Sequence, residues 1–253
     1  MYPRNEKRAW RRCIVIFWAL AQCVGCGHRA APEAAALNPS PTPTVMAPFT
    51  WAEVVQSYSR VRDYTCLYEK QERAISNGET QTIRFAFRKP FDVRCDWLDD
   101  RGRVDQTAVY RAGANDGRVL VRRTGLGALL GTLRLDPHDP LALSDSRHAI
   151  NEAGIGYIIE RIDRELSQHR VELHYKGASQ NDGEATDEVE LVASGPPLSD
   201  LGGARRALVR LDRSLRLPVE VELYDDADTL IERHRFRHLR VNVGLDDAVF
   251  ALP

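Results

Sequence analysis

The sequence predicts an α+β fold in which one curved antiparallel sheet is covered by two helices. About nine to eleven short segments alternate between apolar and polar residues, which is typical of strands. Two stretches instead repeat their apolar residues at helical spacing. The strands are apolar on one face and rich in Arg and Glu on the other. A sheet of this size with a single apolar face must curl around its cover, and its interior can hold a hydrophobic ligand.

The two helices have recognisable beginnings. Thr50 and Glu53 form a capping box, which predicts a first helix over 51–62. A second amphipathic helix is predicted over 152–168, with Asn151 as its N-cap.

The strands are separated by turn and loop signals. The first set is predicted at 64–73, 80–88, 91–98, 106–111 and 118–123, and the second at 171–175, 189–191, 207–211, 219–223 and 230–240. Asn77-Gly78 predicts a hairpin turn between the first two strands. The segments 125–146, 177–187 and 194–204 have no strand or helix period, so we interpret them as loops.

The first 26 residues have the pattern of an export signal. Five basic residues precede an apolar run from Cys13 to about Val24, which is too short for a comfortable membrane span. Cleavage after Ala21 fits ordinary secretion, whereas Gly25 before Cys26 resembles a lipobox in which Cys26 carries a lipid. Cys23 is an alternative lipidated residue, and an uncleaved anchor is the third alternative. We expect a protein of the bacterial cell envelope, on its periplasmic side and held by a lipid anchor.

The remaining chain divides into a tether and a domain. Residues 27–48 are rich in Ala and Pro and cannot bury enough surface to fold, so the folded domain is predicted over 49–253. The whole chain has a formal net charge of −1; without the signal, which holds five basic residues and one acidic residue, the charge is −5. This balance excludes a general nucleic-acid-binding protein.

Several motifs resemble those of a bacterial family of unknown function, DUF1571. They include Tyr64-Thr65-Cys66, Phe87-Arg88-Lys89-Pro90-Phe91, Leu133-Arg134-Leu135-Asp136-Pro137, Ser146-Arg147-His148-Ala149-Ile150 and Val241-Asn242-Val243-Gly244-Leu245-Asp246-Asp247. The C-terminal run also resembles the ends of LolA- and LolB-like lipoprotein carriers, and the resemblance covers about residues 50–253. It implies a half-open barrel whose cavity binds acyl chains. No acyl-contacting residue can be transferred position by position.

Arg147 and His148 are the strongest candidate ligand-binding pair. They precede the second predicted helix, where an anionic carboxylate or phosphate is favoured. The alternative is structural, with Arg147 bracing a strand and His148 bonding to loop carbonyls.

Four aromatic residues can line the predicted cavity or pack in an ordinary core. They are Phe85, Phe87, Trp97 and Tyr110.

We predict no metal site and no cofactor. Asp136, His138, Asp139 and His148 are metal-ligating residue types, but prolines interrupt them and their spacing fits no metal-site template. Glu69 and Glu72 fall on opposite faces of a strand, so we interpret both as solvated partners of neighbouring basic residues.

A disulfide between Cys66 and Cys95 is not expected. With a turn centred on Asn77-Gly78, the two residues are offset by about three positions in each strand, beyond bridging distance.

The expected function is binding rather than catalysis. The sequence has no nucleophile elbow, no His-Glu-x-x-His and no phosphate-binding glycine loop. We expect a protein that binds a lipid or acyl group in its cavity. The alternatives are an envelope scaffold with a filled core, which would bind other envelope proteins, and a hydrolase using the 136–148 loop.

Overall fold

A computed structural model describes residues 49–75 and 78–252. The predicted signal, lipidation and tether fall on residues 1–48, outside the described residues. The helices are α1 (Trp51–Ser59) and α2 (Ile155–Ser167). The strands are β1 (Asp63–Glu72), β2 (Thr80–Arg88), β3 (Asp92–Leu98), β4 (Val104–Arg111), β5 (Val119–Arg123), β6 (Thr132–Leu135), β7 (Val171–Asn181), β8 (Glu184–Ala193), β9 (Arg206–Asp212), β10 (Pro218–Tyr224) and β11 (Leu230–Val241).

All eleven strands belong to one antiparallel sheet. Their spatial order is β6-β5-β4-β3-β2-β1-β11-β10-β9-β8-β7, so two meanders are joined where β1 pairs with β11. β6 and β7 are the two edges, and the sheet is therefore open. The α+β class and the antiparallel sheet are confirmed.

Specific contacts stabilise the N-terminus of each helix, and the sequence predicts those of α1 but not those of α2. In α1 the predicted capping box is present, because Thr50 N donates to Glu53 Oε2 at 2.7 Å. The predicted N-cap Asn151 is wrong for α2. Gly154 occupies that position with φ +97°, and the Tyr64 hydroxyl accepts a hydrogen bond from Ile155 N at 3.0 Å. A side chain on Gly154 would have its Cβ close to that hydroxyl, so glycine is required there.

Two segments predicted as loops form strands. β7 and β8 run through most of 177–187 and meet at Asp182-Gly183, where both residues have positive φ. Asp-Gly is itself a strong hairpin signal, but the flanking residues are polar on both faces and therefore show no strand period. β6 likewise lies inside 125–146; we call the whole stretch between β5 and α2, residues 124–154, the central segment.

The β1–β2 register differs from the prediction. Gln71 lies opposite Thr80, whereas a turn centred on Asn77-Gly78 would place Arg84 there. Residues 76 and 77 lie outside the described residues.

The apolar core lies on the face of the sheet that carries both helices. Its fully buried members include Val54 of α1, Ile155 and Ile162 of α2, and Val189, Leu191, Val209 and Leu211 of the sheet. Neither helix in the described ranges is long and apolar enough to cross a membrane.

The opposite face carries a network of arginine and carboxylate side chains, which we call the outer ladder. Its members are Glu69, Glu188, Arg210, Glu220, Arg233 and Arg235, on neighbouring strands from β1 to β8. At its centre Glu220 is 1% exposed. Charge pairing satisfies this face from β8 to β1, whereas over β2 and β4 Phe250 packs against Ala86 and Val109.

Candidate functional site

A cavity of about 210 Å³ lies on the helix-covered face, between the N-terminal meander and the central segment. Apolar side chains of β1–β6 make up most of its wall: Tyr68, Ile83, Phe85, Cys95, Trp97, Ala108, Val119, Val121, Leu133 and Leu135. These residues share one face because side chains alternate along a strand. The wall is thus built by the strand pattern that predicted the sheet.

The central segment and α2 cover this wall. Pro137, Leu141, Ala142 and Ile150 line the cavity from the central segment, and Tyr157 and Ile158 line it from α2. Leu130 and Leu141 line the cavity and are also 68% and 54% exposed, so the cavity reaches the surface beside them.

Three of the six predicted ligand-binding residues line the cavity. They are Phe85, Trp97 and His148. Phe87 and Tyr110 do not, which corrects the prediction. Each is two residues further along its strand, about 7 Å beyond the cavity wall, where both rings pack against Phe91.

Arg147 contacts carboxylates of the protein itself. Its Nη1 donates to Glu232 Oε1 at 2.6 Å, and its backbone N donates to Glu72 Oε2 at 3.1 Å. The Arg147 side chain thus braces β11, which agrees with its structural interpretation. Its guanidinium is already paired with a carboxylate of the protein.

The charged end of the cavity is a group of side chains that we call the inner cluster. It comprises Tyr68, Lys70 and Glu72 of β1, Arg147 and His148 of the central segment, and Glu232 and His234 of β11. The register of the central strand pair brings it together, because Lys70 lies opposite His234 and Glu72 lies opposite Glu232. Two carboxylates in directly opposed positions repel each other unless cations or hydrogen-bond donors compensate them.

Glu232 is compensated by three donors. It is 1% exposed, and besides Arg147 it accepts hydrogen bonds at Oε2 from His148 Nε2 and His234 Nε2, both at 3.1 Å. Burial alone would raise the pKa of Glu232, but the hydrogen bonds from the two histidines hold it well below its usual range. Glu232 is therefore ionised.

His234 also contacts Tyr68, whose hydroxyl lies 2.6 Å from His234 Nδ1. A consistent arrangement has Tyr68 donating to Nδ1 while the Nε2 hydrogen points at Glu232. The tyrosine thereby fixes the tautomer and the orientation of the imidazole.

Glu72 is compensated less completely. It is 2% exposed, and Lys70 Nζ lies 3.5 Å from its Oε2. Burial lowers the pKa of Lys70, an effect that Glu72 opposes. Glu72 Oε1 is buried and has no hydrogen-bond donor among the described residues.

The sequence interpretation missed most of the inner cluster. Glu72 is buried, so its interpretation as a solvated residue is wrong, and Tyr68, Lys70, Glu232 and His234 are not among the predicted site residues. A signal was present: residues 68, 70 and 72 continue the inward-facing positions of β1, and polar residues at such positions are unusual. Their partners on β11 could not be found without the register.

The other acidic and histidine residues of the central segment serve its turns. Asp136 Oδ1 accepts from His138 N at 2.9 Å, and Asp139 Oδ1 accepts from Leu141 N at 2.8 Å. Asp136, His138 and Asp139 are not part of the inner cluster.

The cysteines Cys66 and Cys95 are both buried, and neither forms a disulfide within residues 49–75 and 78–252. Each lies opposite Phe85, on the two strands that flank β2, so a whole strand separates them. Burial raises the pKa of the Cys95 thiol to about 12 and that of the Cys66 thiol well above its usual value.

The fold and the cavity define a small α+β protein with an open antiparallel sheet and an apolar cavity that ends in a charged cluster. A family model described as "Protein of unknown function (DUF1571)" matches residues 61–252. The chain belongs to this family, which confirms the resemblance found in the sequence.

Solved structures with a related arrangement are distant in sequence. The Pseudomonas aeruginosa MucA/MucB complex matches with 16% identity and a TM-score of 0.48, covering 80% of this chain and 60% of the matched one. Lipoprotein LppX of Mycobacterium tuberculosis matches with 12% identity and a TM-score of 0.45, covering 78% and 96%. A LolA superfamily protein of Nitrosomonas europaea matches with 9% identity and a TM-score of 0.31, covering 81% and 98%. No curated protein matches the sequence.

Proposed function

We propose that this chain is an exported, membrane-tethered protein that binds a lipid or acyl group in the cavity of a curved half-barrel, without catalysis. The observation that carries the proposal is the cavity itself. Its wall is apolar over β1–β6, and it opens between Leu130 and Leu141. An apolar space that reaches the surface suits an elongated apolar guest that enters from one end.

The energetics favour sequestration. Each CH₂ group moved from water into an apolar wall is worth about 0.8 kcal/mol before ordering costs. The cavity supplies such a wall from residues that the fold already holds in place, so little side-chain ordering remains to be done on binding. The charged inner cluster at one end gives a polar head group a place outside the apolar wall.

Export and tethering rest on the N-terminal sequence. Its basic start, apolar run and Gly25-Cys26 pair support processing at Cys26. In cells that make the full chain, metabolic labelling with a palmitate analogue should mark the wild type and not a Cys26→Ser variant. Equal labelling of both would overturn the anchor at Cys26.

The cavity is tested by filling it. Ala142 lines it and is half-buried, so an Ala142→Phe variant places a ring in the space proposed for the ligand. Ala114, also half-buried, lies in the turn after β4 and away from the lining, and Ala114→Phe is the matched control. The full-length wild type should co-purify with lipid in native mass spectrometry and bind a fluorescent fatty acid. Ala142→Phe should lose both properties, and Ala114→Phe should keep them.

Two outcomes would overturn the proposal. One is wild-type protein that carries no lipid after expression in a lipid-rich host and binds no fluorescent fatty acid. The other is equal binding by a folded Ala142→Phe variant. Circular dichroism and urea unfolding of both variants show whether a loss of binding reflects misfolding.

A further inference from the structure

The inner cluster has the composition of a metal site. One ligand atom each from Glu72, His148 and Glu232 lies within 4.8 Å of the others, and their residues come from β1, the central segment and β11. His234 Nε2 is 3.1 Å from the Glu232 oxygen that His148 also approaches. Two carboxylates and two imidazoles are thus gathered at one point on the cavity wall.

The second observation is the unsatisfied oxygen of Glu72. A buried carboxylate oxygen without a donor costs free energy, and such groups in folded proteins call for an explanation. Glu72 Oε1 is such an atom among the described residues, while its Oε2 is held by Arg147 N and faces Lys70. A cation bound at Oε1 would satisfy it.

Three of the four potential ligands, Glu72, Glu232 and His234, have one side-chain atom held by another residue and one left for the ion. Glu232 Oε1 is held by Arg147, which leaves Oε2 toward the two imidazoles. The remaining nitrogen of His234 faces the Tyr68 hydroxyl, which could accept its hydrogen when Nε2 binds a metal. Metal ligands in proteins are typically oriented by outer partners of this kind.

From this arrangement we propose that Glu72, His148 and Glu232, with His234 as fourth ligand, bind one Zn²⁺ or a similar divalent transition-metal ion. Two nitrogen and two oxygen donors suit tetrahedral Zn²⁺, and the ligand atoms of Glu72, His148 and Glu232 already lie within 4.8 Å of one another. Mg²⁺ and Ca²⁺ prefer all-oxygen sites and should not compete. The ion would displace the Nε2 hydrogens of the two imidazoles, which move to Nδ1 or to solvent.

The electrostatics are compatible with this ion. The positive charges of Lys70 and Arg147 lie on the far oxygens of the two glutamates rather than between them. They reduce the net negative charge of the site, and we therefore expect moderate rather than very high affinity for the ion.

The experiment uses the full-length protein carrying Cys13→Ser, Cys23→Ser and Cys26→Ser, because the thiols of residues 1–48 could bind zinc themselves. After EDTA treatment and dialysis, isothermal titration with Zn²⁺ should give one site per chain. Co²⁺ should give the intense visible absorption of a tetrahedral complex. Zn²⁺ should also raise the thermal midpoint.

Three variants locate the ion. Glu72→Gln should weaken Zn²⁺ binding at least about 100-fold, and Tyr68→Phe, which removes an outer partner, about 10- to 100-fold. Glu152→Gln is the control, since Glu152 lines the same cavity but lies outside the inner cluster. Unchanged Zn²⁺ binding in a folded Glu72→Gln variant, or no binding by the parent protein, would overturn the proposal. The readout does not depend on whether the cavity holds lipid.

Discussion

Glu220 and Glu232 are two buried glutamates on neighbouring strands, and their partners differ in kind. Each is 1% exposed. Glu220, in the outer ladder, lies within ion-pair distance of Arg210, Arg233 and Arg235. Glu232, in the inner cluster, has one arginine and two histidines.

The difference separates charge with one protonation state from charge with several. A guanidinium stays protonated at any physiological pH, and its N–H groups donate to the carboxylate oxygens. The outer ladder therefore has one chemical state. An imidazole can release its proton or bind a metal, so the inner cluster has several chemical states. The donor-free oxygen of Glu72 lies in the inner cluster, on the cavity side of the sheet.

The largest expected effect is in the outer ladder. Glu220→Ala leaves the guanidinium groups of Arg210, Arg233 and Arg235 without their central anion and should cost about 3–5 kcal/mol of unfolding free energy. Urea denaturation measures it. Glu188→Ala is the matched control: its side chain is 22% exposed, and it should cost under about 1 kcal/mol. Equal costs would show that Glu220 is not the centre of the ladder.

A third buried carboxylate, Asp187, gives the next largest effect and a pH dependence. Burial opposes its ionisation, but hydrogen bonds from Tyr175 and from Arg213 and Arg216 hold its pKa below the usual value. Because the folded pKa is the lower one, ionised Asp187 stabilises the fold above about pH 4, and this contribution is lost as pH falls through the folded pKa.

Asp187→Asn should therefore cost about 1–3 kcal/mol at pH 7. It should also reduce the fall in stability between pH 5 and pH 3, as urea midpoints at each pH would show. An unchanged acid profile would mean that other carboxylates dominate acid unfolding.

Tyr68→Phe tests the inner cluster with a smaller change. It removes the 2.6 Å hydrogen bond to His234 Nδ1 and should cost about 0.5–1.5 kcal/mol. Because the hydroxyl fixes the tautomer, the variant should also change the nitrogen chemical shifts of the His234 ring in NMR spectra. Unaltered shifts would argue that Glu232 alone orients the imidazole.

The smallest effect is expected for Glu72→Gln in EDTA. The substitution weakens the pairing with Lys70 but also removes the charge opposite Glu232, and these contributions oppose each other. Its unfolding free energy should stay within about 1 kcal/mol of the parent, in contrast to Glu220→Ala. A loss as large as that of Glu220→Ala would assign Glu72 a structural role.

Local patterns in the sequence were sufficient for the fold class and most strands, because strand period and capping are short-range properties. They failed at 177–187, where polar residues on both faces hid a hairpin despite its Asp-Gly turn. They failed more completely at the inner cluster. Glu72 and Glu232 are opposed through a pairing between the first and last strands, and no local pattern carries that register.

The pairing of β1 with β11 also has a consequence for folding. Strand pairs within each meander need only short loops and can form early, whereas the central seam must close over the whole length of the domain. Contacts so far apart in sequence form slowly, although loop entropy grows only gently with length. Until β11 pairs with β1, Lys70 and Glu72 lack their partners His234 and Glu232. The charged end of the cavity is therefore complete only once this seam has formed.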